Sequence, residues 1–407
     1  MTAFLIVLLL LFAWSLTADR LVRWSVTAPL AFAAAGIALT RGPDPAVPLE
    51  LDAHGFQLGV ELVLAVLLFV DATESKDYDR LEKTVGEWRL LGIALPVSVG
   101  LATLFGALLF PDAGWWLLVV TALVVMPMDL APVSTFLRDS RVPLKVRAAL
   151  NIEGGLNDGL ISPVFVFCVA NVVSAEGNTV GGLVLRAIRE AGLALLIGAA
   201  LGFCAGWLVR KSLAGGWAGV GSLRLAGLAL PFLAYSAAVL AGGNGFVAAF
   251  VTGLCYAPAA HAIGGDSLEL VHDAGQVMAF AVWFVFGALT ADEFATGGIG
   301  WAVVGYGLLA LTAARFVPVV LSLGGLGLTW PERATVGWLG SRGVTSIVFA
   351  VLAAAQLPAV QGTFVVNAMC ATVLLSVVLH GLTVGPIAEW FERRTPAAAL
   401  AVIPPAR

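Results

Sequence analysis

Charge is the first thing this sequence has little of. Only 12% of its 407 residues are Asp, Glu, Lys or Arg, against 60% hydrophobic. Soluble domains carry about 25% charge, so this chain cannot clothe a folded surface in polar groups unless lipid replaces water over much of it. A net charge of −4 and the lack of any basic run or tail argue against nucleic acid as a partner. Cysteine is scarce too. Cys168, Cys204, Cys255 and Cys370 all lie in apolar runs without CxxC spacing, which makes them packing residues rather than disulfide partners or ligands. The histidines (His54, His261, His272, His380) form no HxxxH or HExxH pair, so neither a metal site nor a cofactor is expected. The first run, Thr2 to Thr17, has no basic stretch before it and no A-x-A site after it, and is expected to remain as a span rather than be cleaved.

What the chain does have is long apolar runs. A bilayer core needs about 20 mostly apolar residues per helix. That ruler gives about thirteen segments, near 2–18, 26–40, 56–70, 88–110, 115–136, 146–173, 180–209, 223–241, 244–258, 274–291, 297–328, 332–356 and 364–391. The expected fold is therefore an all-α membrane protein, with residues 1–407 forming a single transmembrane domain. Basic residues cluster after odd-numbered segments: Arg20 and Arg23, Lys76 to Lys83, Arg138 to Arg147, Arg210 to Arg224, Arg333, and Arg393 with Arg394. Lys and Arg favour the cytoplasmic side, which places the N-terminus outside and the C-terminus inside. Arg186 and Arg189 are the exceptions. The charged stretch Asp71 to Glu87 reads as a cytoplasmic interfacial helix or loop.

Charged side chains near the middle of a span cost several kcal/mol and are functional suspects by default. Five qualify: Asp129, Glu153, Asp158, Arg315 and Arg342. On a helix, Glu153 and Asn157 share a face, whereas Asp158 is turned about 100° from Asn157. The two acids thus have different neighbours, although pairing for folding alone is the plainer role for either. Two prolines, Pro127 and Pro132, bracket Asp129 and break or bend segment five. Segment twelve has a comparable interruption, Gly337-Trp338-Leu339-Gly340-Ser341-Arg342-Gly343. Paired broken helices point to a transporter binding site, and packing kinks are the alternative. Half-helix ends carry opposed partial charges; Asp129 suits the positive N-terminal ends and Arg342 the negative C-terminal ends. Arg315, in a long apolar helix, needs a partner, and Glu153 is the candidate that leaves Asp158 free.

These residues resemble the NhaP-type sodium/proton antiporters, relatives of the eukaryotic sodium/proton exchangers. The likeness rests on "RVPLKVRAALNIEGGLNDG", "MDLAPVSTFLRDSRVP", "AARFVP", "GSRGVTSIVFA" and "HGLTVGPI", and covers most of the chain from about Leu67 onward. It implies inverted repeats with two crossed discontinuous helices. It implies a homodimer with a mobile core of 88–173 and 297–391 moving against a dimerisation bundle of 1–70 and 180–291. By the same likeness Asp158 alternately holds a cation and a proton, Asn157 makes this a one-carboxylate, electroneutral site, and Glu153 pairs with Arg315. The partners implied are Na+, with Li+ or K+ as alternatives, H+ and the lipid bilayer. The location implied is the plasma membrane and the role pH homeostasis, with no enzyme activity.

The sequence departs from that pattern at Met128 and Leu130, where Thr and Pro flank the acid in the family, and at Gly154, which stands for a Ser. Met128 is read with Asn157, Asp129 and Asp158 as the ion- and proton-binding group. The family's acid at the inner end of segment three would fall at Val70; Asp71, next to it, is assigned to a cytoplasmic funnel. A cation-coupled symporter of a small organic anion is the competing reading, since lost oxygens and the small Gly154-Gly155 surface suit a larger substrate. An intramembrane aspartyl protease fits less well, because Gly155-Leu156-Asn157-Asp158 misses the Gly-x-Gly-Asp motif at its third position.

Overall fold

Inside lipid every backbone N–H and C=O must be satisfied within the protein, and a helix does so within one segment. The described residues accordingly form helices, with no strand among them. The computed structural model describes residues 2–23, 26–40, 54–74, 86–173, 180–263 and 266–394. Among these, eight helices are long and apolar enough to cross a membrane, and three apolar ones (Ala28–Thr40, Trp115–Val125 and Val344–Gln356) are shorter. Helical backbone occurs in every one of the thirteen expected segments. Of the charged stretch, Asp71–Glu74 continues the helix His54–Glu74, while 75–85 lies outside the described residues.

The chain stops and restarts these helices by local chemistry. After Val220–Leu240, Gly242 takes φ 76° and Gly243 N–H bonds back to Ala238 O at 2.8 Å, closing the helix end. Asn244 then accepts the free N–H groups of Phe246 and Val247 at 3.0 and 3.1 Å and starts Gly245–Ala262.

Segment eleven differs from the unbroken helix expected. It is two helices, Trp301–Leu311 and Ala313–Ser322, with Thr312 at φ −99°, ψ −94° between them. The Thr312 hydroxyl bonds the Leu308 carbonyl at 2.5 Å, a local competitor to the helical ladder. Arg315 follows one turn later.

Packing sorts the helices into two groups. Ala28–Thr40 lies along Glu269–Thr296, and Gly245–Ala262 packs against both His54–Glu74 and Val180–Ala214. Gly198, Gly202 and Gly206 make that last contact close: a Cβ on Gly198 would stand 2.7 Å from the Ala248 carbonyl oxygen. Segments four, five, six, eleven, twelve and thirteen pack mainly on one another, with Phe165 stacked on Phe349 at 4.5 Å. A cavity of about 290 Å³ lies between the groups, lined only by small and aliphatic side chains such as Val60, Val63, Val282, Val285, Ile347 and Val351.

Candidate ion-binding site at the helix crossing

Segment five is helical over Trp115–Val125, open over 126–130, and resumes through the turn Ala131–Val133 into Ser134–Arg138. Segment twelve is helical over Trp330–Trp338, open over 339–343, and helical again over Val344–Gln356. The two open stretches cross and hold each other. Asp129 N–H donates to Ser341 O at 2.8 Å, and the Ser341 hydroxyl donates to the Asp129 carbonyl.

Four half-helix ends meet here, and two charges serve them. The Asp129 carboxylate accepts Ala131 N–H and Val344 N–H, each at 2.7 Å, one oxygen to each restarting helix. Arg342, wholly buried, donates through Nη1 to the carbonyls of Met126 and Pro127, where the first half-helix ends. Its backbone N–H is bound by Ser376 Oγ at 2.8 Å, which in turn contacts His380 Nδ1 at 2.9 Å.

Segment six, Leu144–Val173, passes beside the crossing. Both Glu153 oxygens are taken by Arg315, Nη1 at 2.6 Å and Nη2 at 3.1 Å, with the side chains only 2% and 4% exposed. Arg315 reaches this position past Gly340, where any Cβ would overlap the guanidinium. Nη2 also meets Met128 Sδ at 3.2 Å and Val336 O at 3.3 Å. The Met128 side chain is therefore turned to the ion pair, and its carbonyl receives Asn157 Nδ2 at 3.4 Å. What Met128 offers near Asn157 is backbone rather than thioether.

Asp158 stands differently. It is 3% exposed; Thr345 Oγ1 donates to its Oδ2, while Oδ1 has no partner among the described residues, nor has Asn157 Oδ1. Asp71, half-buried near the end of His54–Glu74, is close enough to feel the charges of Asp158 and Asp129. Beside it, Glu74 and Thr73 meet His272 at 3.5 and 3.4 Å. An unpaired ionised carboxylate is costly at such burial, so Asp158 needs a proton or a cation. Hard cations take oxygen ligands, and two unpartnered oxygens belong to adjacent residues here.

Three hydroxyls in this network, Thr345, Ser341 and Ser376, escape a search for buried charge, because a hydroxyl carries no such penalty. Thr345 was findable only as the third residue after Arg342 in a broken helix. The departures at 128, 130 and 154 form one packing arrangement. A Cβ on Gly154 would lie 2.7 Å from Leu130 Cδ1 and 3.3 Å from Met128 Cε, so these two side chains fill the room that a serine there would need.

Crossed broken helices with one acid and one arginine at their ends, beside a helix carrying a free buried carboxylate, define a secondary-transporter fold. Residues 4–390 match the family model described as "Sodium/hydrogen exchanger, transmembrane", and the chain belongs to that family of multi-pass membrane proteins. It is 25% identical over 329 residues to the K(+)/H(+) antiporter NhaP2 of Shewanella sp. (strain MR-4), covering 78% of this chain and 55% of that protein. It is 24% identical over 325 residues to sodium/hydrogen exchanger 8 of Arabidopsis thaliana, covering 73% of this chain and 42% of that one. The chain thus spans about half the length of the relatives it matches. The sodium proton antiporter MjNhaP1 of Methanocaldococcus jannaschii shares the fold, with TM-score 0.72, 18% identity and coverage of 93% and 98% of the two chains.

Proposed function

We propose that this protein exchanges one monovalent cation for one proton across the plasma membrane, with Asp158 as the group that carries each in turn. The observation behind this reading is the contrast within segment six: Glu153 has both oxygens paired, whereas Asp158 Oδ1 is free of partners among the described residues. A proton and a cation each neutralise Asp158, and neither can bind while the other is there. Only a neutral site crosses the low-dielectric barrier cheaply. One carboxylate trades one positive charge for another, so exchange is electroneutral.

Alternating access comes from the bundle of 88–173 and 297–391 rocking against that of 1–70 and 180–291, in a homodimer. The aliphatic cavity between the two packing groups supports this, since no side chain lining it ties them together. Glu153 and Arg315 act as a structural ion pair, and Asp129 and Arg342 compensate the half-helix ends. Asn157, with the Met128 carbonyl behind it, lines the ion site. With the N-terminus outside, Asp71 and Glu74 fall at the cytoplasmic mouth, where cations gather before reaching Asp158. Na+ is the first candidate and serves pH homeostasis; Li+ and K+ follow, K+ being the ion in the names of the NhaP2 relatives.

The test is proton flux in proteoliposomes loaded with a pH dye and titrated with Na+, Li+ and K+, voltage being clamped by a separate permeant ion. Saturable, cation-dependent alkalinisation identifies the exchanger and its ion. Uptake of an organic anion with no cation-stimulated proton flux would replace it with the symporter.

A further inference from the structure

Another buried carboxylate lies at the far end of segment ten, away from the crossing. Glu293, in the last turn of Glu269–Thr296, is 8% exposed, and among the described residues the charged side chain acting on it, Asp292, has the same sign. Facing it from Ala359–Arg394 is Asn367, also buried, whose amide group lies beside the Glu293 carboxyl and whose Oδ1 has no partner among the described residues. One turn earlier on the same helix, Thr290 Oγ1 is buried with no hydrogen-bond partner among the described residues, beside the Cys370 thiol. Gly298 closes the third side. A Cβ there would stand 2.8 Å from both Oδ1 and Nδ2 of Asn367 and nearer still to Glu293 Oε2, so the two side chains close together on Gly298.

We propose that Glu293, Asn367 and Thr290 form a second cation site, which holds one small monovalent cation between segments ten and thirteen. The chemistry is that of a hard-cation site: a carboxylate, an amide oxygen and a hydroxyl, without a basic side chain among the described residues to supply the counter-charge. A single carboxylate balances a single positive charge, which favours a monovalent over a divalent ion. The slight exposure of Glu293 leaves a route from solvent. In the proposed transport cycle segment ten belongs to the dimerisation bundle and segment thirteen to the moving core. An occupied site therefore clasps the two at the outer face and opposes their relative motion. That consequence rests on the antiport reading, whereas the binding site itself does not.

The experiment uses the purified protein carrying Asp158→Asn, so that the crossing offers no unpaired carboxylate. Thermal unfolding in detergent is followed with NaCl or KCl, against choline chloride at equal ionic strength. A saturable rise in Tm with the small cation and not with choline is expected. Adding Glu293→Gln should raise the half-saturating concentration at least about tenfold. Gly298→Ala, which crowds the site and leaves its charge, should do the same if the Gln variant fails to fold. No cation-specific rise in Asp158→Asn would overturn the proposal, as would an unchanged rise in the Gly298→Ala double variant. Loss of exchange in wild type with this rise intact would instead remove the antiport reading alone.

Discussion

Two carboxylates five residues apart on one helix have opposite surroundings. Glu153 is held by a guanidinium through both oxygens, and Met128, Gly340 and Val336 close around that pair. Asp158, equally buried, meets one hydroxyl and keeps an oxygen unspent. Burial is the same, so burial does not divide their roles. The division comes from supply of counter-charge: a fixed cation makes an acid part of the scaffold, and its lack makes an acid that must recruit an ion.

The largest effect that can break this comparison is Asp158→Asn. It should abolish cation-driven proton flux while leaving Tm near wild type, since the amide keeps shape and the Thr345 contact. Full exchange in the Asn variant would remove Asp158 from the mechanism.

Glu153→Ala and Arg315→Ala should do the reverse and act first on stability. Removing one member of a buried pair costs about 3–5 kcal/mol, read as a fall in Tm and in yield. Replacing both by Leu should recover most of that loss, because no uncompensated charge remains. Equal melting of wild type and the two single Ala variants would show that the pair does not hold the fold.

Thr345→Val sharpens the contrast at the other acid. A hydrogen bond to a charged group is worth about 1.5–3 kcal/mol, so the half-saturating cation concentration should change by about tenfold or more, with Tm little affected. An unchanged ion response would take Thr345 out of the site.

The smallest effect lies outside the spans. Arg141 beside Asp139, bonded at 2.7 Å, holds that carboxyl below its ordinary range. A lowered folded pKa adds stability that is present above the unfolded value of about 3.9 and is lost as pH falls through the folded one. Wild type and Asp139→Asn should therefore differ slightly in Tm at pH 6 and converge below about pH 4.

Much of this was legible in the chain because membranes punish charge. Asp129, Arg342, Glu153, Arg315 and Asp158 stand out against apolar runs, and Pro127, Pro132, Gly340 and Gly343 mark where helices open. The five charged side chains do meet around one crossing. What stayed hidden carries no such penalty. Thr312 looks like any helical threonine, yet its dihedral angles break segment eleven just before Arg315. Thr345 and Ser341 are polar at little cost, and their importance comes from what lies opposite them. Met128 read as a ligand because of its place beside Asp129, but side-chain direction in an open stretch follows from packing, and it points to Arg315. Glu293 sits at a helix end, where acids are ordinarily solvated, so its burial leaves no mark in the sequence.

The central claim is that a proton and a cation compete for one carboxylate. Its most direct test is proton release when Na+ or K+ is added to purified protein in weakly buffered detergent. The account predicts that wild type releases about one proton per protein more than Asp158→Asn, which has no carboxylate at the crossing to exchange. Cation binding to wild type without proton release, or equal release from both proteins, would contradict it.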